Sequence, residues 1–336
     1  MEYDFEKELS NYYVAIGRSL KNSFKVEDRF GKDLYSMARE SMVNGGKKIR
    51  PILVLLSCEA VSKSKDYKLA LPAAIIYELS HTAALIQDDI LDKATFRRKR
   101  KSVWKKYGLE NAILISDILL FEMFSKLIEY EKLGLPEERI YKLLAVIGET
   151  AKDATRGEFM DRQLGIRSDM STDEYLKMIE LKTGSLLRGA CKSGAIVGGG
   201  TGEEINKLGN FGSSIGKAYQ IRDDILDVIA DKNKVGKPVF QDLRNNKKNI
   251  VIIHALNNAN ARDKKFLTGL LKKGNISPND ITLARKLFQK SGSVEYAESL
   301  AAKISTEGRR YLNPIKDSKA KEKLIKLSHH AERRMY

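Results

Sequence analysis

Leu79-Ser80-His81-Thr82-Ala83-Ala84-Leu85-Ile86-Gln87-Asp88-Asp89-Ile90-Leu91-Asp92 is an apolar run that closes on three carboxylates. The pentapeptide at its end returns as Asp223-Asp224-Ile225-Leu226-Asp227, 135 residues further on, again at the end of a helical pattern. Aspartates at i and i+4 share one face of a helix, and the i+1 carboxylate lies about 100° round, so each copy offers a cluster of acidic oxygens. Such clusters call for cations.

The rest of the chain reads outward from these two points. The periodicity predicts amphipathic helices over Tyr3 to Leu20 and Phe30 to Met42, a break at Gly45-Gly46, and an apolar helix from Pro51 to Ala60. The first acidic helix is expected from about Lys68 to Lys93. Lys93 to Lys106 carries eight basic residues and no acidic one, too polar for core, and is expected to be a loop. Asn111 to Ile128, Ile140 to Gln163 and Asp173 to Cys191 are helical in pattern, the last with a capping signal in Ser171-Thr172-Asp173-Glu174. Ile205 to Val228 carries the second acidic end, Asp231 to Asn249 reads as a polar loop, and the remainder as shorter amphipathic helices. No alternating strand pattern stands out, so the expected class is all-α.

Composition narrows the chemistry. The 336 residues, 42% apolar, suffice for a large core, and no break in composition demands a division into domains. A net charge of +16 suits anionic partners: nucleic acid, a membrane surface or phosphorylated small molecules. Two cysteines, Cys58 and Cys191, fit buried thiols in a reducing compartment. An acidic N-terminus without a signal-length apolar core, and no uncharged run of spanning length, predict a soluble, cytoplasmic protein.

Paired carboxylate clusters suit Mg²⁺, which is usually held by a few protein oxygens while phosphate and water complete its octahedron. The turn Gly45-Gly46-Lys47-Lys48-Ile49-Arg50-Pro51 joins a close backbone bend to cations suited to a diphosphate, although a basic turn at a helix start is commonplace. His81 lies about 20° from Asp88 on the helical wheel. It is either a core histidine or a ligand beside the carboxylates.

With these motifs the chain resembles a trans-type isoprenyl diphosphate synthase of the polyprenyl synthetase family, most closely the geranylgeranyl diphosphate synthases. The similarity runs from about Gly45 to Lys248, with a C-terminal match as well. The resemblance implies a single domain over residues 1–336, a bundle of long helices around a central apolar cavity (the isoprenoid synthase fold), and a homodimer. It implies that Asp88, Asp89, Asp92, Asp223, Asp224 and Asp227 bind about three Mg²⁺ ions. Lys47, Arg50, His81 and Arg98 would bind isopentenyl diphosphate, while Arg97, Lys182, Thr183, Gln220, Lys237 and Lys247 would surround the allylic diphosphate, with Asp242 between the last two lysines. The implied reaction is head-to-tail condensation: the allylic diphosphate ionises, isopentenyl diphosphate attacks the cation, and a proton is lost, the released diphosphate being the usual base.

Several positions depart from the family pattern. Lys99-Arg100-Lys101-Ser102-Val103-Trp104 stands where a glycine and a proline-threonine are common, Ser116 replaces a glycine, and Asn249 and Val251 replace threonine and proline. None removes a charged ligand. In the family the two positions four and five residues before the first motif limit product length; here they are Ala84 and Ala83, with Ser80 a turn below. Nothing there closes the channel, so geranylgeranyl diphosphate or a somewhat longer product is expected. Tyr77, about 16 Å below Asp88, is either the channel floor or a core aromatic.

Other functions fit less well. A basic nucleic-acid-binding protein explains the charge, but paired acidic motifs without metal would repel a polyanion, so no nucleic-acid partner is expected. A non-catalytic subunit of a heteromeric synthase would be expected to lose one acidic motif, and terpene cyclases have a different second metal motif. The basic excess would also favour peripheral association with anionic membranes.

Overall fold

The computed structural model describes residues 7–24, 28–43, 46–64, 66–98, 100–167, 169–229, 240–245, 247–273 and 276–333. The chain is built almost wholly of helices, as expected: α1 Ser10–Lys21, α2 Arg29–Val43, α3 Ile49–Val61, a 3₁₀ turn Lys68–Ala70, and α4 Leu71–Leu91. A short hairpin follows, β1 Phe96–Arg97 and β2 Arg100–Lys101, then α5 Val103–Tyr107, α6 Leu109–Lys132 and α7 Glu137–Ile166. Next come α8 Thr172–Ile179, a π turn Glu180–Gly184, α9 Ser185–Gly198 and α10 Gly202–Ile229. The C-terminal part holds α11 Gln241–Arg244, α12 Ile250–Asn258, α13 Ala261–Lys273, α14 Pro278–Lys290, α15 Ser293–Arg310 and α16 Lys319–Arg333.

Two compact units emerge from the contacts: Met1–Gly148, Gly189–Gly209 and Pro314–Leu324 form the first, and Glu149–Arg188, Asn210–Asn313 and Ile325–Tyr336 the second. The first is centred on α4, which packs most extensively on α6 and then on α3. Pro72 sits in its opening turn, where a missing N–H costs nothing. Ile75, Ile76, Tyr77, Leu79, Ala83 and Ile86 are buried, each of the larger apolar side chains contributing about 1.5–3 kcal/mol. Lys68–Leu91 has the length and mean hydropathy of a membrane-crossing helix even though Glu78 interrupts its apolar run. Its apolar surface faces protein, 67% of the most apolar window being buried.

In the second unit α10 and α12 supply Ile221, Ile225, Val251 and Ile252 to a core closed by Tyr175, Phe240, Leu267 and Phe288. The capping box read in the sequence is present: the Ser171 hydroxyl accepts from the Glu174 N–H, and the Glu174 carboxylate accepts from the Ser171 N–H.

The basic segment after α4 is not the plain loop expected. Phe96 pairs with Lys101 and Arg97 with Arg100 in antiparallel register. Arg98 takes a left-handed conformation (φ 51°) in the connecting turn, as a tight hairpin requires. The Trp104 indole N–H then donates to the Ala94 carbonyl at 2.8 Å, tying α5 back to the end of α4.

Candidate active site

In the first unit one group of the predicted residues lies at the carboxylate end of α4. Its last turn closes with the Asp92 N–H on the Asp88 carbonyl (2.8 Å), and the next residue, Lys93, turns the chain in a left-handed conformation. The hairpin then directs Arg97 back to the helix, where Nε and Nη2 donate to one Asp89 oxygen at 2.8 and 2.7 Å. Burial raises the Asp89 pKa, and the guanidinium only partly offsets it. Gln87 donates to the hydroxyl of Ser116 at 2.9 Å, so this departure from the family pattern supplies a hydrogen bond between α4 and α6.

Two turns earlier on α4 is a cationic group. His81 feels Arg50, Arg98, Arg97 and Lys48, and burial together with these cations pushes its pKa well below the ordinary imidazole value. The imidazole is therefore neutral near pH 7 and can donate one N–H to an anion. The turn before α3 brings the other members. Gly46 has φ 127°, a conformation that favours glycine, and a Cβ there would lie 2.8 Å from an Arg98 guanidinium nitrogen and displace it. The Lys47 carbonyl accepts from the Tyr13 hydroxyl at 3.2 Å. Lys48 takes a left-handed conformation, and its ammonium donates to Glu78 at 2.6 Å and to the Met42 carbonyl at 3.2 Å.

The second unit holds a group of its own. Asp224 is buried and accepts from the Tyr175 hydroxyl at 2.5 Å, the Gln220 amide at 3.0 Å and the Ile250 N–H at 3.3 Å. Thr183 donates to the Gln220 oxygen at 2.9 Å, which orients that amide. Both oxygens of Asp227 accept backbone N–H groups, from Gln241 at 2.8 Å and Asp242 at 3.2 Å, at the start of α11. Asn249 caps α12 and donates to Asp242 at 3.0 Å, so it takes over a structural task at this departure from the family pattern. Burial raises all three acids, Asp224 well above the usual range, Asp227 to about 7 and Asp242 upward, with the Asp242 charge adding to the rise at Asp224 and Asp227 and the Asp161 charge to that at Asp242.

A π turn carries Lys182 and Thr183, an insertion frequent at functional sites. It fits because Gly157 of α7 has no side chain: a Cβ there would come within 2.2 Å of the Lys182 nitrogen. Lys182 pairs with Glu158 at 2.5 Å and Asp161 at 2.8 Å, and Lys247 lies 3.9 Å from Asp161. Lys237 falls outside the described residues.

Among the described residues no three His, Cys, Asp or Glu side chains form a closed metal cage. An all-oxygen donor set with raised, charge-crowded carboxylates fits a hard cation whose shell is shared with phosphate and water. Of the residues expected along a product channel, Ala83 is buried in the helix packing, Ser80 and Ala84 are half-buried, and the buried Tyr77 hydroxyl shares a 3.0 Å hydrogen bond with Ser193. Sequence reasoning missed Lys48, Glu78, Glu158, Asp161 and Tyr175. A lone carboxylate inside an apolar helix was a visible signal for Glu78, and the i, i+3 acidic pair for Glu158 and Asp161; Tyr175 carried none.

Comparison with known proteins bears on this arrangement. The family model described as polyprenyl synthetase matches residues 32–288. A short chain isoprenyl diphosphate synthase of Methanothermobacter thermautotrophicus is 35% identical over 303 residues, 90% of this chain and 91% of its own. A geranylfarnesyl diphosphate synthase of Aeropyrum pernix is 36% identical over 283 residues, 83% and 87% of the two chains. The crystal structure of a geranylgeranyl pyrophosphate synthetase from Pyrococcus horikoshii Ot3 is similar with a TM-score of 0.91 and 32% identity, covering 99% of this chain and 100% of that one.

Proposed function

Because the chain belongs to the polyprenyl synthetase family, we propose that it is a trans-prenyltransferase that condenses isopentenyl diphosphate head-to-tail with allylic diphosphates, giving geranylgeranyl diphosphate or a somewhat longer product. The observation that carries this reading is on one helix: α4 ends in Asp88, Asp89 and Asp92 and, two turns earlier, sets His81 among Arg50, Arg97 and Arg98. A cation-binding end beside an anion-binding group suits a reaction between two diphosphates. Relatives named for geranylgeranyl and geranylfarnesyl products support the product range.

Lys47, Arg50, His81 and Arg98 are assigned to isopentenyl diphosphate, and Arg97, Lys182, Thr183, Gln220, Lys237 and Lys247 to the allylic diphosphate. Asp88, Asp89, Asp92, Asp223, Asp224 and Asp227 are assigned to the metal ions, and the hydrogen bonds to Asp89, Asp224 and Asp227 also hold the hairpin, α8, α11 and α12 in place. Mg²⁺, when bound, supplies the positive charge that makes diphosphate a leaving group. The protein orients both substrates and excludes water from the allylic cation. Lys182 exchanges its carboxylate partners for diphosphate oxygens on substrate binding.

The chain as a whole is taken as one polyprenyl synthetase domain acting in the cytoplasm. A homodimer is proposed on α6, where Ile113, Leu114, Phe121, Phe124 and Ile128 form an exposed apolar stripe of the kind that marks an interface. The basic excess supports peripheral association with anionic membranes.

Incubation with isopentenyl diphosphate and each of dimethylallyl, geranyl and farnesyl diphosphate in Mg²⁺, followed by product sizing, tests the function. Elongation to about twenty carbons or more is expected, lost in Asp88→Ala and Asp223→Ala by roughly 10²-fold or more. No Mg²⁺-dependent elongation from any primer would overturn the reading.

A further inference from the structure

Glu78 is a buried carboxylate, 5% exposed, one turn before His81 on α4. The mechanism above gives it no chemical task. It pairs with Lys48, whose side chain is itself only 15% exposed. A buried charge persists only when it is paired and hydrogen-bonded, and here the pairing joins two elements. Lys48 is the central residue of the turn Gly46–Arg50, and it holds a left-handed conformation (φ 43°) that side-chain-bearing residues rarely adopt. Its ammonium is fixed at both ends of its reach, by Glu78 and by the Met42 carbonyl that closes α2.

We infer that Glu78, acting through Lys48, is the positioning residue that locks the Gly46–Arg50 turn so that its flanking cations, Lys47 and Arg50, are pre-arranged for the diphosphate of isopentenyl diphosphate. The inference rests on the assignment of that turn to isopentenyl diphosphate. Of the three cations in these five residues, Lys48 is held by Glu78 and the Met42 carbonyl, while Lys47 and Arg50 are the two assigned to the ligand. The same lock serves Arg98, because its guanidinium lies against the Gly46 backbone and moves if the turn does. Pre-organisation of this kind appears as binding strength rather than as chemistry.

The test compares wild type, Glu78→Gln and the double variant Lys48→Met/Glu78→Gln. In Glu78→Gln the KM for isopentenyl diphosphate is expected to rise about tenfold, with kcat and the KM for the allylic substrate within about twofold of wild type. The double variant, which no longer buries an unpaired ammonium, should recover thermal stability but not affinity. Direct calorimetric titration of isopentenyl diphosphate into each protein, without allylic substrate, reads the same affinity change independently of turnover. If wild type fails to elongate any primer, the functional reading falls, while the titration still decides the role of Glu78. Equal affinity of wild type and Glu78→Gln, or a parallel loss in kcat, both KM values and melting temperature, would overturn the inference.

Discussion

Ala83 and Ala84 are neighbours in sequence with different surroundings: the first is wholly buried in the packing of α4, the second half-buried on the line from Ser80 to Asp88. Ala84→Phe is therefore expected to fold and to shorten the product, whereas Ala83→Phe should overpack the core and cost about 1–3 kcal/mol. Product chromatography and thermal melts separate the two; an unchanged product in Ala84→Phe would show that this face does not line the chain path. His81 gives a second residue-level expectation. Its pKa is depressed in the fold, so the unfolded chain takes up the proton first. That contribution to stability is complete above about pH 6.5 and is lost as pH falls towards the lower folded value. The His81 imidazole resonances should stay those of the neutral ring from pH 8 to pH 5.5, while the melting temperature falls across the acidic part of that range. A protonated His81 at pH 6 would contradict the cationic surroundings described. At this scale the sequence made the six aspartates, the arginine pair and the Lys-Thr pair legible, since each belongs to a compact motif. Glu78 and Asp161 left only a local signal, whose meaning depends on partners 30 and 21 residues away, and Tyr175, 49 residues from its partner, left none.

Among the elements, the long apolar helices were legible from periodicity alone, and their observed ends differ from expectation by a few residues. The hairpin was not legible, for its alternate positions carry basic residues on both faces and leave no hydrophobic pattern to read. The π turn was hidden for another reason: Lys182-Thr183-Gly184 continues the helical pattern, and only the closeness of Gly157 shows where the extra residue is accommodated. Gly157→Ala forces α7 and the π turn apart. A loss of about 1–3 kcal/mol in unfolding free energy is expected. The KM for the allylic substrate should also rise as Lys182 shifts, whereas Gly148→Ala, on the same helix with nothing nearby for a Cβ to meet, should leave both unchanged. Denaturant titration and steady-state kinetics check the pair, and an unaffected Gly157→Ala would mean that the π turn yields freely.

For the molecule as a whole, the apolar stripe of α6 predicts self-association. Phe121→Glu with Phe124→Glu places two charges on that stripe, and sedimentation should shift from dimer towards monomer by a factor of at least about 10² in dissociation constant; an unchanged dimer would place the interface elsewhere. Fold class was legible at this scale because nearly every strong periodicity was helical. The division into two compact units was not, since no composition break accompanies it. That division has a consequence for synthesis. The first unit draws on stretches from early, middle and late parts of the chain and is completed only by Pro314–Leu324. A ribosome therefore releases α4, with its exposed apolar run, long before the segments that finish covering its unit exist. The nascent chain must wait with a sticky helix in solvent, and helper chaperones that shield such helices during translation should raise the soluble yield of this protein more than they change the stability of the finished fold.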